Sequence, residues 1–124
     1  MTSKTDMNQT RRILVVDDDA PLLDAIERAL SEAGEQVIAR SSFEEARLLL
    51  KTEVFDVLLT DVRLGAFNGL QLAVLARHAN PEIRIIVFSG FDDPVLHEEA
   101  EHVGATWVVK PVSSSHLLEL IRGR

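Results

Sequence analysis

Apolar residues follow two rhythms along this chain. Short, nearly continuous runs recur: ILVV at 13–16, QVIA at 36–39, VFDVLLT at 54–60, IRIIVF at 83–88 and TWVV at 106–109. ILVV has the form of a strand buried on both faces of a sheet. Between the runs, apolar residues return at helical spacing. Leu22, Ile26, Ala29, Leu30 and Ala33 make one such stripe, opened by Pro21 and closed by Gly34. Phe43, Ala46, Leu49 and Leu50 make the next, behind a Ser42/Glu45 pair of capping-box form.

After Asp61, a loop VRLGAFN leads to a third helix over about 69–78. It is apolar almost all round and is expected to be well buried. Residues 93–103 form a fourth helix with a thin stripe (Leu96, Ala100, Val103), stopped by Gly104. Residues 113–122 form a fifth, with Leu117, Leu120 and Ile121 inward. Five strands alternating with helices predict right-handed βαβ crossovers and an α/β fold with a parallel sheet covered on both faces. The order of the strands does not follow from pattern alone.

The 124 residues fit one domain. No cysteine is present, which excludes disulfides and thiolate chemistry, and the cytoplasm is the expected compartment. No apolar run approaches the roughly 20 residues needed to cross a bilayer, so no membrane role is expected. Residues 1–10 are polar and are read as a disordered tail, leaving 11–124 as the domain. The net charge of −7 argues against direct nucleic-acid binding by this chain, which rests on clustered Lys and Arg.

Parallel strands share one carboxyl edge, where open α/β sheets bind ligands. Here strand one ends at Asp17 and Asp18, strand three at Asp61, strand four at Ser89 and strand five at Lys110. Three carboxylates in one place call for a cation. All-oxygen donors suit Mg²⁺, which also leaves room for water and phosphate oxygens. A metal, a lysine and a hydroxyl around one free carboxylate point to phosphoryl transfer, with an aspartate as the nucleophile. Asp61 stands alone at its strand end and is the better nucleophile; Asp17 and Asp18 are the better metal holders.

The segments VVDDD (15–19), DVLLTDVRL (56–64) with NG at 68–69, VFSG (87–90) and GATWVVKP (104–111) resemble the receiver domain of two-component response regulators. Any one of these motifs is weak; all four in order, each at a strand end, are specific. The resemblance covers roughly residues 11–122. It implies a flavodoxin-like (βα)5 doubly wound sheet of order 2-1-3-4-5. It makes Asp61 the phosphoacceptor, and Asp17, Asp18, Asp61 and the backbone carbonyl of Arg63 the ligands of Mg²⁺. Ser89 and Lys110 would bind the phosphoryl group, Trp107 would hold the switch position, and the Lys110–Pro111 bond would often be cis. It implies a sensor histidine kinase or phosphotransfer protein as donor and an output protein or domain as recipient. Phosphorylation would repack the face of the fourth helix, fifth strand and fifth helix, a face through which some receivers dimerise. Such a module phosphorylates and dephosphorylates itself but is not a turnover enzyme in the usual sense. Four positions depart from the usual pattern: Gly65 stands for a proline, Trp107 for Tyr or Phe, Gly90 for Ala and Val112 for Phe.

Two other functions fit parts of the chain. Asp17-Asp18-Asp19 offers the D-x-D of a haloacid-dehalogenase-like phosphatase, with Asp17 as nucleophile and Asp19 as acid. A receiver that is never phosphorylated could serve only as a docking surface. Blander roles also exist: Asp17 and Asp18 as caps of the first helix, and Asp19 as a solvent-facing first-turn residue. His78, His97, His102 and His116 read as surface histidines, and HEEAEH (97–102) as a solvated helix face.

Overall fold

A computed structural model describes residues 10–123; the tail read over 1–10 lies almost wholly outside them. Five parallel strands form one sheet: β1 (Arg12–Val16), β2 (Gln36–Arg40), β3 (Val57–Asp61), β4 (Arg84–Ser89) and β5 (Thr106–Val109). Five helices alternate with them: α1 (Ala20–Glu32), α2 (Phe43–Thr52), α3 (Gly69–Ala79), α4 (Pro94–His102) and α5 (Ser114–Arg122). The strand order is β2-β1-β3-β4-β5, the doubly wound order that the resemblance implied.

The period of two along each central strand divides the core. Leu14 and Val16 of β1, Leu58 of β3, and Ile85 and Val87 of β4 face the side covered by α2, α3 and α4. Ile13 and Val15, Val57 and Leu59, and Ile86 and Phe88 face α1 and α5, against Leu23, Ile26, Leu30, Leu117 and Ile121. Strand β3 is buried throughout, and β1 and β4 are buried beyond their first residues, Arg12 and Arg84. As edge strands, β2 and β5 are half-buried despite their apolar sequences.

Several details differ from the sequence pattern. The third strand begins at Val57, not at 54. Residues before it bend and are bonded to the start of β1: Asp56 Oδ2 accepts from the Arg12 N–H at 2.8 Å. Helix α3 is not buried all round, since Val74 is 53% exposed; a helix on one face of a sheet always leaves one side to water. The expected loop after Asp61 contains a two-residue antiparallel ladder, Arg63–Leu64 against Phe67–Asn68. Ser42 caps α2 through the Glu45 N–H, but the reciprocal capping box occurs at Asn68 and Gln71, opening α3. At the opposite end of the sheet, buried Glu35 accepts from the Arg11 N–H (2.9 Å) and from Arg122 Nε (3.0 Å), tying α5 to the turn after α1.

Gly69 brings α3 against the end of β3. Its N–H donates to the Val62 carbonyl at 2.6 Å. A Cβ at this position would stand 2.0 Å from the Asp61 carbonyl oxygen and 2.8 Å from Thr60 Oγ1, both fixed by the central strand. Gly69→Ala therefore forces a backbone shift and is expected to cost about 2–3 kcal/mol in urea unfolding. A loss below about 0.5 kcal/mol would mean that this contact does not constrain the end of β3.

Candidate functional site

The carboxyl ends of β1, β3 and β5 deliver their polar residues to one place. Asp17 follows Val16 directly and is fully buried. Both of its carboxyl oxygens have partners: Oδ1 accepts from the Asp19 N–H at 2.8 Å, and Oδ2 from Lys110 Nζ at 3.1 Å. Asp61, the last residue of β3, is 8% exposed. Its Oδ2 accepts from the same ammonium at 3.3 Å, and its Oδ1 from the Arg63 N–H at 3.4 Å. Lys110 thus bridges the two carboxylates, and its Nζ lies 5.0 Å from the centre of the Phe88 ring. The Lys110 N–H is fixed by the Ser89 carbonyl at 2.7 Å, and the Lys110–Pro111 peptide is cis.

Asp18 is exposed, and its Oδ2 accepts from the Gly65 N–H at 3.3 Å. Gly65 adopts φ +63°, a conformation open to glycine and closed to proline. The departure at this position therefore supplies a donor that proline lacks. Asp17, Asp18 and Asp61 each place one oxygen so that all three lie within 4.8 Å of one another. With one ammonium against three carboxylates the cluster keeps an excess of negative charge. This close, oxygen-only donor set fits a hard divalent cation.

The electrostatics bear this out. Burial pushes the Asp61 carboxyl above its ordinary range, and the neighbouring Asp17 charge adds to the rise; Lys110 opposes both without cancelling them. Burial on its own would lower the Lys110 ammonium. The hydrogen bond and charge of Asp17, joined by those of Asp61, outweigh it and move Lys110 up. Lys110 is therefore a permanent cation near neutral pH, and Asp61 is the group that resists ionising.

Of the remaining predicted residues, Arg63 reaches this centre through its backbone N–H, and the described side chains of Ser89 and Trp107 make no hydrogen bond to it. Ser89 is buried, and its hydroxyl is turned to the next loop, donating to the Phe91 carbonyl at 2.7 Å. The Arg63 guanidinium lies 4.8 Å over the Phe91 ring, away from the carboxylates. Trp107, half-buried in β5, stacks on His97 and has a buried indole N–H with no hydrogen-bond partner among the described residues.

Asp19 is the N-cap of α1, accepting from the Leu22 N–H at 3.3 Å. It is therefore Asp19, rather than Asp17 or Asp18, that caps this helix. An aspartate so engaged is poorly placed to act as the acid of a D-x-D phosphatase. The Gly65 donor, the cap at Asp19 and the His97 stack were absent from the sequence reading. Only the cap had a usable signal, an Asp two residues before a proline.

Residues 13–122 match the family model described as the response regulator receiver domain. The alginate biosynthesis transcriptional regulatory protein AlgB of Pseudomonas aeruginosa is 32% identical over 115 residues, which is 92% of this chain and 26% of that protein. The chain spans about a quarter of the length of the first curated relatives it matches. Among solved structures, a CheY-like response regulator receiver domain protein from Methanospirillum hungatei superposes with a TM-score of 0.88 at 28% identity, covering 93% of each chain. A response regulator from Burkholderia pseudomallei, solved with a phosphorylated aspartic acid, calcium ion and citrate, superposes with a TM-score of 0.84 at 27% identity. That match covers 90% of this chain and 66% of the other.

The raised Asp61 carboxyl has a consequence for stability. The folded state holds this proton more tightly than the unfolded chain, so ionisation costs folding free energy. The cost is absent below the ordinary aspartate range, grows as pH rises through the raised folded value, and is constant above it. Without divalent metal, Asp61→Asn should raise the melting temperature at pH 7.5 by about 2–5 °C, and the gain should shrink as pH falls toward about 4. Thermal scans in chelator showing no gain, or a gain that grows on acidification, would reverse this account of the site.

Proposed function

The chain belongs to the response regulator receiver domain family, and from that premise we propose that it is a phosphoacceptor switch in which Asp61 takes a phosphoryl group. The donor is a phosphohistidine on a sensor histidine kinase or phosphotransfer protein. The observation that carries the reading is the single ammonium of Lys110 spanning Asp17 and Asp61 beside a third carboxylate.

In this reading an Asp61 oxygen attacks phosphorus and an O–P bond forms as the N–P bond of the donor breaks. The electron pair returns to the imidazole nitrogen. Asp17, Asp18, Asp61 and the Arg63 carbonyl would hold Mg²⁺, which when bound would supply positive charge to offset that of the phosphoryl group. Lys110 gives up one carboxylate and pairs with the phosphoryl group. Ser89 must leave the Phe91 carbonyl to donate to a phosphoryl oxygen, and this rotation releases the loop that leads into α4. Trp107 belongs to the face of α4, β5 and α5, the face proposed to repack toward an output partner or domain and to serve any phosphorylation-dependent homodimer. Hydrolysis of the acyl phosphate by water returns Asp61 and inorganic phosphate.

The phosphorylated aspartic acid in the Burkholderia pseudomallei structure supports the chemistry. The curated relatives named as transcriptional regulators support control of transcription as the output. The net charge of −7 supports an output that does not rely on this chain to grip nucleic acid. Residues 11–124 are proposed as a single receiver unit. Among the described residues no helix is long and apolar enough to cross a membrane.

Incubation with Mg²⁺ and acetyl phosphate, read by intact mass, should give one phosphoryl adduct that is acid-stable and base-labile. Asp61→Asn should give none, and chelating the metal should slow labelling about 100-fold or more. A stoichiometric adduct on Asp61→Asn would remove Asp61 from its proposed role. Steady release of phosphate from a phosphomonoester would favour the phosphatase reading instead.

A further inference from the structure

Outside the carboxylate site, one cluster combines an aromatic stack, a titratable ring and an unsatisfied polar group. The His97 ring, in the first turn of α4, lies parallel to the Trp107 indole, with centroids 5.1 Å apart and planes 10° apart. Two carboxylates bracket the imidazole. Its Nδ1 is 3.3 Å from Asp92 Oδ1, and its Nε2 is 3.7 Å from Glu101 Oε2. Glu98 completes the acidic wall of the same surface recess. From the other side, β5 brings Trp107 and, within Thr106–Val109, no charged residue. The charges in contact with the imidazole are these two carboxylates; α3, which also packs on α4, brings Arg77, whose guanidinium is bonded to the Val103 and Gly104 carbonyls at the other end of the helix. The indole N–H beneath it is buried and unpartnered among the described residues, so this placement of Trp107 forgoes a hydrogen bond and depends on its packing.

We propose that His97 is a positioning residue for Trp107: its ring, stacked on the indole and held between Asp92 and Glu101, latches Trp107 in its half-buried place, and does so more firmly when the imidazole is protonated. Protonation gives both carboxylates a charged partner and puts a cation on the indole face. Loss of the proton leaves a neutral ring with weaker ties. The latch therefore tightens as the imidazole takes up a proton. The inference rests on the reading of Trp107 as the switch residue. It adds that acidification biases the switch toward its resting arrangement without touching the phosphoacceptor.

Trp107 is the protein's single tryptophan, so its emission reports the contact directly. In the unphosphorylated protein, emission should fall in one sigmoidal step as pH falls, because a protonated imidazole in contact quenches indole. His97→Gln and His97→Phe should abolish the step, and His97→Phe should keep the stack. After labelling with acetyl phosphate, the change in emission should be smaller at pH 6 than at pH 8 in the wild type, and alike at both in His97→Phe. A step that persists in both His97 variants, or a wild type with no step, would overturn the proposal. The resting titration needs no phosphorylation, so failure to form an adduct would count against the phosphoacceptor reading and leave the test of the stack intact.

Discussion

Two buried aspartates delivered to one edge by adjacent parallel strands repel each other, and the Lys110 ammonium between them is the interaction on which the site depends. Each residue is placed by the sheet rather than by its own neighbours. Asp17 comes at the end of β1, Asp61 at the end of β3, and Lys110 at the end of β5, two strands beyond. The five-stranded order brings these ends to one side, and the register of β4 with β5 fixes how far the lysine must reach. Its ammonium lies over the Phe88 ring, so an apolar residue at the end of β4 flanks the group that neutralises the polar edge. One ammonium cannot balance three carboxylates. The excess charge costs stability in the resting protein, and the same excess attracts a cation, so the cost and the capacity have one source.

The path from charge to conformation is short. Ser89, bonded to the Phe91 carbonyl, stands at the end of β4, and the loop it holds runs directly into α4. Lys110 stands three residues beyond Trp107, just past the end of β5. A change of partner at either residue is felt by the same edge of the molecule. The opposite side has no comparable polar handle: α1 and α5 sit on an apolar layer, closed at the far end by Glu35 with Arg11 and Arg122.

Much of this was legible in the sequence because strand ends and the spacing of apolar residues are local signals. ILVV followed by aspartates, LLT followed by Asp61, and VV followed by Lys110 place the chemistry without any knowledge of strand order. The errors share a physical cause. An apolar run reads as buried, yet β5 is an edge strand, and α3 covers only one face of the sheet, so Val109 and Val74 are exposed. Register and edge position are non-local, and periodicity does not carry them. The Gly65 N–H on Asp18 depends on a left-handed backbone at one loop residue. The His97 stack joins residues ten apart, on two elements whose packing angle no pattern reveals. The site's charged residues were readable because like charges in one place demand an explanation. The aromatic and loop contacts make no such demand until they are seen.

Helix α4 buries a single residue fully, Ala100, where α1 buries Leu23, Ile26 and Leu30. Its other inward residue, Leu96, and Val103 at its C-cap are only partly covered, and Val95 stands largely in water. So little buried anchorage is the mark of a segment that opens locally, whereas the buried β1 and β3 have the character of elements that open only with the whole domain. In the proposed switch, a message arriving at Ser89 or Trp107 would meet the helix with the least buried anchorage, and the rest of the fold would serve as the rigid frame against which that movement has meaning.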